Sequence, residues 1–165
     1  NLNIEKIVVE QVDLSELIES VLKIAKPEIQ AKNIQIVLGL KSTSLVIASR
    51  GELQQVILNL INNAIQALSS SSAKPRTLQI ESEDVSDGVE IRFIDNGSGV
   101  SKDAKSHLFE LFANNNKKMG MGLGLWLCQH IITRHGGSIQ YRDGMAGGAQ
   151  FIVFLPTLQH NVSSA

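Results

Sequence analysis

Four short motifs follow one another in this chain, and each asks for a different piece of backbone. "NLINNA" (Asn59–Ala64) lies inside a helical pattern, because Leu53, Val56, Ile57, Leu60, Ile61, Ala64 and Leu68 recur at helical spacing. "DNGSG" (Asp95–Gly99) ends a strand-like run, "VEIRFID", in a glycine turn. "LFELF" (Leu108–Phe112) puts two phenylalanines after a short helical stretch, and "GMGLGL" (Gly120–Leu125) opens into "LWLCQHIITRHGG". That last run reads as a helix closed by a left-handed glycine cap at Gly136.

The rest of the chain fills in around these segments. Lys6–Val12 reads as a strand, followed by a helix capped by Asp13 or Ser15 and running to about Lys32. Leu14, Leu17, Ile18, Val21, Leu22 and Ile24 supply its apolar face. Ile34–Leu40 and Ser44–Ser49 read as two strands joined by a short turn, and the motif-bearing helix spans about Gly51–Leu68. A flexible Ser69–Arg76 loop leads to strands at Thr77–Val85 and Val89–Asp95, with Asp87-Gly88 as the hairpin signal. A short helix is expected near Ser101–Phe109, and the last two strands at Ser138–Asp143 and Gln150–Pro156, with Gly144, Gly147 and Gly148 between them. Strands and helices mix without strict βαβ alternation. The expected fold is therefore a two-layer α/β (α+β) sandwich, one mixed sheet with helices packed on one face. Residues 1–156 read as one domain, and 157–165 as a disordered tail.

Composition narrows the function classes. A chain of 165 residues with 43% hydrophobic residues can bury a core without disulfide staples. Net charge is −1, which lacks the basic excess of a nucleic-acid binder. No apolar run reaches the roughly 20 residues needed to span a bilayer, and no signal-peptide pattern opens the chain. The sequence starts at Asn1 without a methionine and reads as an excised fragment. Cys128 is the only cysteine and falls in an apolar helical pattern, so it reads as a buried thiol.

The motifs carry chemistry that suits a nucleotide. Asn59 and Asn63 are one helical turn apart and face the same way, whereas Asn62 points about 100° aside. An amide oxygen is a hard, neutral ligand that suits Mg²⁺ held mainly by water and phosphate. Glycines after Asp95 let backbone approach a ligand closely, and Ile94 and Val100 offer an apolar wall for a purine. "GMGLGL" lacks the Lys-Ser/Thr of a Walker loop. It leads a helix instead, where free amides and a partial positive charge attract phosphate; Gly122, Leu123, Gly124 and Leu125 are the candidate donors.

In this order the motifs resemble the N box, first glycine box, F box and second glycine box of the histidine-kinase catalytic domain, a branch of the GHKL ATPases. The stretch "ELQQVILNLINNAIQAL" carries most of the likeness, and its wording resembles the nitrogen-regulation and oxygen-sensing kinases. The resemblance implies ATP and Mg²⁺ as cofactors. It implies Asn63 as the metal-binding asparagine and Asp95 as acceptor for the adenine amino group, with Ala67, Gly97, Gly99, Val100, Phe112, Gly120 and Met121 also lining the nucleotide. Where the gyrase-like and mismatch-repair branches place a glutamate base, this chain has Asn59, whose amide takes no proton at neutral pH. That pattern implies a site that holds ATP without hydrolysing it quickly.

Two departures from the family stand out. The expected ATP lid reads "ANNNKK", with Leu111 where relatives have proline; it is expected to gain order from ligand, with Lys117 and Lys118 as candidate phosphate contacts. Ala149 stands where relatives often place threonine. None of His107, His130, His135 and His160 has the sequence context of a phospho-accepting histidine, and His135 reads as structural. The resemblance thus implies a cytoplasmic kinase domain that serves a histidine on a separate dimerisation domain and, indirectly, a response regulator, without nucleic-acid or direct membrane contact. An ATP sensor without phosphotransfer, or a GHKL serine kinase or ATPase, are the alternatives.

Overall fold

Alternation in the strands decides the layers. The computed structural model describes residues 8–110, 121–145 and 147–157. In β4 (Arg76–Val85), β5 (Gly88–Asp95) and β7 (Ala149–Pro156), one side chain in two is buried. Leu78 and Ile80, Ile91 and Phe93, and Phe151 and Val153 thus share one face. With β2 (Ile34–Leu40) and β6 (Ser138–Asp143) they form a five-stranded sheet ordered β2-β4-β5-β7-β6. β2 runs parallel to β4, and the other neighbours are antiparallel. The opposite face is polar: Arg92 on β5 bonds Glu81, Glu83 and Glu90 across it.

Three helices cover the apolar face. α1 (Leu14–Ala31) is capped by Asp13, whose Oδ1 accepts from the Ser15 and Glu16 amides at 3.0 and 3.3 Å. α2 (Arg50–Ser69) is capped by Ser49 and buries Leu53, Leu60, Ile61 and Leu68 almost completely. Each such side chain contributes about 1.5–3 kcal/mol of hydrophobic stabilisation. α4 (Met121–Arg134) packs along α2, and α2 also touches α1 and β5, so it is the central helix. A one-turn α3 (Lys102–Lys105) lies between β5 and α4 in sequence, capped by Ser101. The mixed sheet with helices on one face is the expected sandwich.

Several local readings change. β1 (Glu10–Asp13) is shorter than expected, with Lys6 outside the described residues. It pairs antiparallel with β3 (Leu45–Ala48) as a separate two-stranded sheet, so β2 and β3 follow one another through the expected short turn without pairing. Asp84 on β4 anchors that turn. Its carboxylate accepts from the Thr43 and Ser44 amides at 3.2–3.3 Å and draws the connecting loop toward β4. The Thr43 amide foremost holds this carboxyl below its usual range. Ile24 is 53% exposed, because it sits at the edge of the α1 stripe beside a shallow hollow between α1 and α2. The β4–β5 turn lies at Ser86-Asp87, one residue earlier than expected. Gly88 stands within β5, where a Cβ would meet the Leu155 carbonyl oxygen at 2.0 Å. At the far end of α4, Gly136 has φ +80 and the Gly137 amide bonds back to Ile132, the expected glycine cap.

Candidate functional site

The end of β5 is where polar chemistry enters the core. Asp95 is one of three buried polar residues among those described, 6% exposed, on the same face as Phe93 and Leu78. Its Oδ1 accepts from the Gly97 amide at 2.8 Å, closing an Asx turn. Burial pushes its carboxyl up, against the Gly97 and Ala149 amides, which act the other way. A raised carboxyl costs least when a ligand supplies another donor. Ile94, by contrast, points to the opposite face of the sheet, because strand side chains alternate. It cannot form a wall on the Asp95 side. Val100 does lie on that side, half-buried against the core.

Glycines pack the surrounding loops tightly. A Cβ on Gly97 would stand 2.9 Å from the backbone carbon and oxygen of Ala67, which fixes the turn against α2. Gly99 has φ +77, and its Cβ would meet the Gly147 oxygen at 2.5 Å. On β7, Ala149 is the cross-strand partner of Asp95. Asn96 is an anchor beside the site: its Oδ1 accepts from the Thr77 amide and its Nδ2 donates to the Pro75 carbonyl.

Up α2 from Ala67, Asn63 and Asn59 follow at one-turn intervals, both half-buried, while Asn62 is exposed. The two asparagines differ in their ties. Asn59 Oδ1 accepts from Gln55 Nε2 at 3.1 Å, and its side chain also reaches the Cys128 thiol. Cys128 is fully buried on α4, its Sγ 3.8 Å from the Val56 carbonyl, and burial pushes its thiol up to about 12. It is a structural thiol between α2 and α4. Asn63 has no side-chain partner among the described residues, so its amide oxygen is available. No group of three or more His, Cys, Asp or Glu side chains among them could hold a metal. A cation beside Asn63 would therefore take most of its ligands from phosphate and water, which suits Mg²⁺.

α4 is described from Met121 onward, in line with a start expected near Gly122. Leu125, a candidate donor through its backbone, has a core side chain at 2% exposure. A Cβ on Gly124 would meet nothing within 4 Å. Phe112, Lys117, Lys118 and Gly120, and the rest of the expected lid, lie outside the described residues. Phe109 of the F box is described, edge-on to Phe151 at 6.2 Å.

His135 is structural, as expected. Its Nε2 accepts from the Ser49 amide at 3.1 Å and its Nδ1 donates to the Ile131 carbonyl at 2.8 Å, joining the α4 end to the α2 cap. His130 stacks on Trp126, and His107 contacts Glu110. One group was not anticipated. Tyr141, Asp143 and Lys105 form a chain beside Val100, and nothing in their sequence spacing marks it.

A family of known sequences matches this arrangement. The histidine kinase-, DNA gyrase B-, and HSP90-like ATPase family matches residues 48–159. The chain belongs to this family. It is 34% identical to the sensor protein FixL of Bradyrhizobium diazoefficiens over 90% of the chain and 29% of that protein. It is 32% identical to the sensor histidine kinase ZraS of Escherichia coli O157:H7 over 88% of the chain and 31% of that protein. The chain thus spans under a third of the length of these relatives. The fold superposes on the nucleotide-free catalytic domain of the histidine kinase ThkA with a TM-score of 0.80 and 30% identity, covering 91% of this chain and 96% of that one. It is the histidine-kinase branch of the ATP-binding fold. No helix among the described residues is long and apolar enough to cross a membrane.

Proposed function

We propose that residues 1–156 are the catalytic, ATP-binding domain of a two-component sensor histidine kinase. The carrying observation is Asp95, a buried carboxylate at a strand end, flanked by a glycine turn pressed on Ala67 of α2, the helix that also carries Asn59 and Asn63. In this reading Asp95 accepts from the adenine amino group and excludes guanine, which has a carbonyl there. Val100 borders the purine, with Ala67, Gly97 and Gly99 shaping the pocket. Asn63 would hold Mg²⁺, which would neutralise phosphate charge, and the first turn of α4 would receive the phosphates. Gly120, Phe112, Lys117 and Lys118 complete the proposal from the sequence side. Asn59 supplies no base, so water is not activated and ATP is kept for transfer.

The phosphoryl acceptor would be a histidine of a separate dimerisation domain, which then serves a response regulator. Two points support this: none of the four histidines has the sequence context of a phospho-acceptor, and a neighbouring fold, ThkA, was solved in complex with the response regulator protein TrrA. The domain would work on the cytoplasmic side. Catalysis here is chiefly positioning and charge stabilisation. The test mixes this chain with candidate dimerisation domains and γ-labelled ATP. Acid-labile label on the partner's histidine is expected; nucleotide binding without label on any partner would favour an ATP sensor instead.

A further inference from the structure

The Tyr141 side chain stands where three parts of the proposed pocket meet. It projects from edge strand β6 on the helix-covered face, as the cross-strand partner of Phe151. The two rings are 5.4 Å apart, and Phe151 in turn meets Phe109 of the F box. The phenol donates to Asp143 Oδ1 at 2.9 Å, and the other oxygen of Asp143 takes Lys105 Nζ of α3 at 2.8 Å. The backbone amide of Val100 faces the phenol oxygen. Burial, then the Asp143 carboxylate, push the phenol up to about 12, and Asp95 is near enough to add to this. The group thus stays a neutral donor. One side chain therefore touches the strand edge and the loop that carries Val100, and is linked to the α3 segment through Asp143.

We propose that Tyr141 is a positioning residue of the nucleotide site: through Asp143 and Lys105 it fixes α3 and the Val100 loop against β6, and so holds the purine side of the pocket in its binding geometry. This rests on the placement of adenine at Asp95. α3 is a single turn and contributes no buried residue of its own. Its C-terminal end is held by the Lys105–Asp143 pair, with Leu108 and Phe109 packed on the core beyond it. The ion pair is largely exposed, so on its own it contributes little to stability. Its effect is orientation, which binding reads and melting does not.

The experiment compares Tyr141→Phe, Lys105→Met and the double variant with wild type, by calorimetric titration of ATP and of ADP. Tyr141→Phe keeps the ring against Phe151 and removes only the donor. We expect affinity to fall about 5–10-fold for both nucleotides equally, because the loss is at the purine end. The double variant should be no weaker than Tyr141→Phe alone, since both changes release the same segment. Lys105→Arg should restore binding to near the wild-type value. Unchanged affinity in Tyr141→Phe, additive losses, or a loss matched by a lower melting temperature would overturn the proposal. An Asp95→Asn control separates the two claims: if ATP binding does not depend on Asp95, the placement of adenine fails; if it does and Tyr141→Phe binds normally, only the positioning role fails.

Discussion

Gly124→Ala separates a binding role from a structural one, because this glycine is not required by the fold. A Cβ there meets nothing within 4 Å, whereas on Gly97 it would stand 2.9 Å from Ala67 backbone atoms. Gly124 also lies inside α4, where alanine is the better helix former by about 1 kcal/mol. The free protein should gain stability, and for a domain of this size that raises Tm by about 2–4 °C. Nucleotide binding should move the other way. Cα–Cβ bonds in a helix tilt toward its N-terminus, so the new methyl leans into the turn where the phosphates are proposed to sit. Loss of one amide–phosphate hydrogen bond is worth about 1.5–3 kcal/mol, on the order of 10–100-fold in affinity. Thermal melting of the free protein and calorimetric titration with ATP, ADP and adenosine give both readings. Adenosine should bind the variant as it binds wild type, since it carries no phosphate. A variant that melts higher and still binds ATP with wild-type affinity would refute phosphate binding at this turn.

Asp95→Asn should weaken ATP binding about 10–100-fold without lowering Tm at pH 7, because the amide oxygen can still accept from Gly97. The folded carboxyl is raised, so Asp95 favours the folded state most below its unfolded value and loses that contribution as pH rises through the raised value. Melting curves should accordingly show the variant gaining on wild type from about pH 4 upward; the reverse trend would contradict the buried, desolvated carboxylate. Asn63→Ala should fold normally and lose the Mg²⁺ enhancement of ATP affinity, seen by titration with and without the metal. An enhancement that survives in the variant would remove Asn63 as ligand. His135→Ala should cost about 1–3 kcal/mol in chemical denaturation by leaving the Ser49 amide without its acceptor, with nucleotide affinity retained.

Local pattern was enough for much of this protein. Helical spacing of Leu53 to Leu68 delivered α2 and put Asn59 and Asn63 on one edge, and strand alternation delivered the sheet's two faces. These depend only on the period of the backbone, which sequence carries directly. The same period, applied to Ile94, would have placed it away from Asp95. Strand partners are a different matter. β3 could satisfy its backbone beside β2 or β1; it pairs with β1, while Asp84, some 40 residues away, holds the turn at Thr43 and Ser44 to β4. Tyr141, Asp143 and Lys105 were invisible for the same reason: Lys105 and Asp143 are 38 positions apart, and only the β6 edge brings them together. The glycines divide likewise. Sequence marked them as close-approach residues, but only packing distinguished Gly97 and Gly99, pinned by neighbouring backbone, from Gly124, which faces open space. Chemistry that lies within one helix or one turn is set by spacing along the chain; contacts between elements are set by which surfaces bury together, and that is decided only when the layers close.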